Sequence, residues 1–99
     1  MSANISSKKF FKEYGDLSFA ELLKSWRLCE EMSQKAFAKK LKISASSLCD
    51  LEKGRKIPSL ARAASIAKKL GLPQALLVQV ALQDTINASN LDLTISVAA

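Results

Sequence analysis

Between Ser33 and Gly54 the chain carries two apolar patterns, each about two helical turns long, with only a short link between them. Phe37, Ala38 and Leu41 mark the inner face of the first, and Leu48 and Leu51 that of the second. Ser33 and Ser44 stand where an N-cap hydroxyl is wanted, and Gly54 stands just past the second helix, in the position that favours a left-handed backbone. Helices this short gain their stability from packing rather than propensity. A tight link then forces them to cross, and Ala38 is small enough to let their backbones approach.

The remaining pattern is helical until the last fifteen or so residues. Ser18-Phe19-Ala20-Glu21 reads as a capping box, with Leu17 and Leu22 as a hydrophobic staple. Phe19, Leu22, Leu23 and Trp26 follow as one apolar stripe. After the short pair, Ser59 caps a fourth helix whose inner face is expected to be Leu60, Ala63, Ala64, Ala67 and Leu70, closed by Gly71. Pro73 opens a fifth helix expected to run to about Gln83. Residues 91–97 alternate between apolar and polar, as a β-strand would. The expected organisation is an arm or short helix over 1–16, a five-helix domain over 17–83, and a strand-bearing tail over 84–99.

Ninety-nine residues suffice for one domain. No apolar run approaches the ~20 residues that span a bilayer, and the lysines of residues 1–12 are not followed by the apolar stretch of a secretory signal. A cytoplasmic location is therefore expected, with Cys29 and Cys49 as free thiols. The chain has no histidine, no cysteine cluster and only three glycines, so catalytic, metal-binding and phosphate-loop chemistry lack their usual materials. No enzyme activity, cofactor or metal is expected. Charge points elsewhere. The net is +6, and residues 33–70 hold ten basic side chains against Asp50 and Glu52, which leaves the rest of the chain slightly acidic. A basic excess concentrated on a small domain suits a polyanion, of which nucleic acid is the usual one.

The segment SQKAFAKKLKISASSLCDLEKGRKIPSL, residues 33–60, resembles the helix-turn-helix of the phage-repressor (Cro-type, XRE-like) family. The resemblance rests on Gln34, Ala38, the Glu52-Lys53-Gly54 run with the basic residues after it, Pro58 and Ser59, and extends over about 17–82. It implies a lambda-repressor-like all-α fold in which the second motif helix, within 44–54, enters the major groove of double-stranded DNA. By position it implies Ala45, Ser46 and Asp50 as base readers, with Gln34, Ser47, Lys53, Arg55 and Lys56 on phosphates. Arg27 and Glu52 are implied as a structural ion pair joining two helices. Ala45 suits a thymine methyl, Ser46 is permissive, and Asp50 can accept from a cytosine amine. These positions lack the Gln, Asn or Arg that read bases bidentately, so selectivity would draw also on groove shape, water or the 1–16 arm. The plainer alternative for Asp50 is a solvated side chain paired with Lys53 or Lys42.

Ala75, Leu76, Leu77, Val78, Val80, Ala81 and Leu82 make the fifth helix apolar nearly all round, and the 91–97 segment has no partner strand within the chain. A symmetric homodimer would cover both, through Val78, Leu82, Leu93, Ile95 and Val97, and would present two motifs to a palindrome. The expected function is thus a dimeric transcriptional repressor. The alternative is an antitoxin, whose apolar surfaces bind a toxin protein. A protein-interaction module that has given up DNA comes third. No membrane partner is expected.

Overall fold

The computed structural model describes residues 17–89, so the 1–16 segment and the alternating 91–97 segment, with Leu93, Ile95 and Val97, lie outside the described residues. Five helices follow one another: α1 (Phe19–Cys29), α2 (Gln34–Leu41), α3 (Ala45–Glu52), α4 (Leu60–Leu70) and α5 (Gln74–Ala88). No strand occurs among the described residues.

Each of the first four helices begins on a serine. The hydroxyls of Ser18, Ser33, Ser44 and Ser59 accept from the backbone N–H groups of Glu21, Ala36, Ser47 and Arg62 at 3.1, 3.1, 3.0 and 3.2 Å. Glu21 returns the bond to the Ser18 N–H at 3.1 Å, completing the capping box. The same four helices end alike. Glu31, Lys42, Gly54 and Gly71 all have left-handed φ, and in each case the following residue's N–H reaches back to a carbonyl five positions earlier. For α2 that bond is Ile43 N–H to Ala38 O, 3.0 Å; for α3 it is Arg55 N–H to Asp50 O, 2.9 Å. These are Schellman turns, which satisfy the carbonyls a helix leaves over. Repeated starts and stops of one kind in the first four helices explain how five helices fit into the 73 described residues with so little loop.

One core unites them. Phe19, Leu22, Leu23 and Trp26 of α1 meet Phe37, Ala38 and Leu41 of α2, Leu48 and Leu51 of α3, and Ala63, Ile66 and Ala67 of α4. Leu76, Leu77, Val80 and Ala81 of α5 complete it, with Leu72 from the preceding turn. Ala38 is 2% exposed where α2 packs against its neighbours. Lys69 ties two helix ends together by donating to the Leu41 carbonyl at 3.0 Å.

Two expectations need correction. The inner face of α4 includes the buried Ile66, while Leu60 is 45% exposed. Leu60 is the first residue of its helix and lies at the edge of the core, whereas Ile66 sits a turn and a half further in. α5 also runs past Gln83 to Ala88. Its last turns are held by polar bonds that an apolar pattern cannot reveal. Thr85 Oγ1 donates to the Ala81 carbonyl at 2.9 Å, and Gln83 Nε2 donates to Asn87 Oδ1 at 3.0 Å. Nor is α5 left bare: Val78 and Leu82 are half-buried within the single chain, Val78 against the core. Among the described residues, the large apolar side chains that are exposed are Leu28, Ile57 and Leu60.

Candidate nucleic-acid interface

The charge network that holds α3 in place centres on Glu52, the last residue of that helix and 8% exposed. Arg27, on α1, grips it with two parallel bonds, Nε to Oε2 at 2.8 Å and Nη2 to Oε1 at 3.1 Å. The third arm of the same guanidinium, Nη1, donates to the Met32 carbonyl at 3.0 Å. Gln34 Nε2 at the start of α2 donates to Glu52 Oε1 at 3.1 Å. A buried carboxylate is costly unless it is both paired and hydrogen-bonded, and here it is both. The fork geometry is directional, so one carboxylate sets α1, α2 and α3 against one another.

α2 and α3 are joined by a three-residue link, and the turn is made by Lys42 at φ 58 rather than by a glycine. Beyond it, Ala45 and Ser46 open α3 with exposed side chains. Ser47 is half-buried and engaged in the cap, since Ser44 Oγ donates to Ser47 Oγ at 2.9 Å. At the other end of α3, Gly54 at φ 72 turns the chain sharply, and Lys53, Arg55 and Lys56 follow as exposed cations. Asp50 takes its partners from this turn. Its Oδ1 lies 3.5 Å from Arg55 Nη1 and its Oδ2 lies 3.8 Å from Lys56 Nζ. The plainer alternative, a pairing with Lys53 or Lys42, gives way to one with Arg55 and Lys56, because the left-handed turn brings residues 55 and 56 back beside α3.

A family model described as a helix-turn-helix domain matches residues 18–79, well over half of the chain. The chain belongs to the helix-turn-helix family. No curated protein and no solved structure matches it. As a helix-turn-helix domain of the DNA-binding type, it carries the motif on α2 and α3, with α1 and α4 bracing it. No described helix is long and apolar enough to cross a membrane.

Of the residues singled out by sequence, the structure groups Ala45, Ser46, Asp50, Arg55 and Lys56 on α3 and the turn that follows it. Gln34 points its amide at Glu52, and so belongs to the bracing network. The signal for this was Glu52 itself, an acid in a basic segment that needs more than one donor. Cys29 is exposed and Cys49 half-buried, both as free thiols.

Asp84 escaped sequence reasoning altogether. From α5 its Oδ2 accepts the Phe19 backbone N–H at 2.8 Å, so it caps α1 from a helix 65 residues away in sequence. Burial pushes its carboxyl above the ordinary aspartate range, the Phe19 N–H pulls it back, and the Glu21 charge adds to the rise. A contact at such separation leaves no local pattern to read.

Proposed function

We propose that this helix-turn-helix protein is a sequence-specific transcriptional repressor that occupies a palindromic operator as a homodimer, with α3 in the major groove. The observation that carries the reading is the position of α3. It is held at its buried end by the Arg27–Glu52–Gln34 network, while its first residues are exposed and cations follow its last turn. Ala45 and Ser46 read base edges by apolar contact and hydrogen bonding, with Asp50 as the third position on that helix. Arg55, Lys56 and Lys53 hold phosphates, joined by Ser47 and by the amide-rich start of α2 near Gln34.

A homodimer is supported by the alternating 91–97 segment, and Val78 and Leu82 of α5, which the single chain covers only in part, supply further apolar surface. The exposed Leu28, Ile57 and Leu60 favour a second reading, an antitoxin that presents apolar side chains to a toxin protein. Selection from a random duplex library across a salt series, with solution mass measured alongside, separates the two. Enrichment of a palindrome by a dimer, weakening steeply with salt, is the expected result. A monomer that enriches no sequence would overturn the repressor reading and turn attention to a protein partner.

A further inference from the structure

We propose that Asp50 is an electrostatic brake on backbone binding, which partly neutralises Arg55 and Lys56 and so lowers affinity for DNA of any sequence. The proposal rests on the reading of α3 and the turn after it as the DNA interface. The geometry for it is built rather than incidental. The backbone carbonyl of Asp50 accepts the Arg55 N–H at 2.9 Å in the Schellman turn, and the Gly54 N–H reaches the Leu51 carbonyl at 3.3 Å. That turn commits residues 55 and 56 to lie over the Asp50 carboxylate, whose two oxygens then face one cation each.

Exposure fits the role. The Asp50 side chain is 22% exposed, against 61% for Arg55 and 73% for Lys56. The acid is sheltered beneath two cations that remain free to swing toward a ligand. Pairs at 3.5 and 3.8 Å between solvated groups are weak and easily exchanged. They retard a competing partner without barring it. Asp50 also stands four residues after Ser46, so the two share one face of α3.

The consequence is for background affinity. Phosphates are the same in every sequence, so charge on the contacting loop sets background affinity and carries no base information. The three side chains together bring a net charge of +1 where the two cations alone would bring +2. A reading helix with only Ala45 and Ser46 as further readers has modest base discrimination. Lowering the common electrostatic term weakens the hold on every duplex alike and leaves the ratio between sequences to the readers.

The test uses the full chain and a fluorescent duplex of random sequence, titrated over a salt series by anisotropy. Wild type, Asp50→Asn and Asp50→Ala are compared with Glu31→Gln, a charge-matched change at an exposed residue outside the motif. The pair of Asp50 variants guards against a fold-specific artefact, and thermal melts check each protein. The Asp50 variants are expected to bind about three- to tenfold more tightly at low salt. They should also steepen the log–log salt dependence by about one. In an Arg55→Gln/Lys56→Gln background the same Asp50 changes should act no more strongly than Glu31→Gln. Equal effects of Asp50 and Glu31 changes, weaker binding by both Asp50 variants, or an Asp50 effect that survives loss of both cations overturns the brake alone. Wild type that shows no salt-dependent duplex binding overturns the interface reading and the brake with it.

Discussion

Glu52 shows how much a single side chain can be asked to do. It accepts from Arg27 twice and from Gln34 once, while almost wholly out of water. Glu52→Ala should cost about 3–5 kcal/mol, because it strands a guanidinium that is itself mostly covered. Urea denaturation measures it, and the double variant Arg27→Met/Glu52→Met should recover most of the loss. Lys42 and Gly54 make a second residue-scale comparison, since both close a helix at positive φ. Lys42→Gly should stabilise the domain by up to about 1 kcal/mol, and Gly54→Ala should destabilise it by about 1 kcal/mol. A methyl at Gly54 would meet only Ala20 Cβ at 3.9 Å, so the penalty there is conformational rather than steric. Asp84 gives a pH signature. Its folded-state carboxyl titrates above the unfolded value, so its favourable contribution is complete in acid and is lost as pH rises through the raised value. Asp84→Asn keeps an acceptor for the Phe19 N–H without the buried charge. Its melting temperature should exceed that of wild type at neutral pH, and the difference should shrink below about pH 4. A gap that widens in acid would show the opposite linkage.

At the scale of the element, α3 divides into two ends with different work. Its start offers Ala45 and Ser46 outward, and its finish is buried through Glu52 and followed by the cationic turn. Substituting Ala45 or Ser46 should change which duplex is preferred while leaving the salt dependence intact. Replacing Arg55 or Lys56 by Gln should weaken binding to all duplexes and flatten the salt slope by about one each. Parallel selections from one random library would check both. If the two sets of variants behaved alike, the division of α3 would be wrong. Neither of these changes touches the core, so cooperative melting should persist in every case.

For the whole molecule, the question is what the domain does with a second copy. α4 and α5 pack closely, and α5 contributes four buried residues to a core that the described chain fills by itself. The single domain should therefore fold without a partner. Removing residues 90–99 should leave a cooperative thermal transition and, if the proposed dimer forms through this tail, abolish dimerisation and weaken DNA binding. Sedimentation of the two lengths at several concentrations checks this. A truncated chain that still sediments as a dimer would move the seam from the tail to the exposed Ile57 and Leu60.

Much of this protein is written locally. The serine caps at positions 18, 33, 44 and 59, the glycine stops at 54 and 71, and the spacing of Phe37, Ala38, Leu41, Leu48 and Leu51 each act within one turn of helix, where adjacent residues alone decide the outcome. The meeting of Arg27 with Glu52 was legible for another reason: an acid within a basic segment demands a counter-charge, and the family resemblance named one. Other features belong to the assembled fold. Nothing near Asp84 in sequence says that it will cap α1, and nothing near Leu60 says that the core stops short of it. The left-handed turns at Glu31 and Lys42 carry no glycine to announce them, and Asp50 found its cations because Gly54 folded them back. Local sequence determined the helices and where they begin. Long-range packing decided which other polar groups meet, because only the closed fold brings residues 19 and 84, or 41 and 69, within a hydrogen bond of each other.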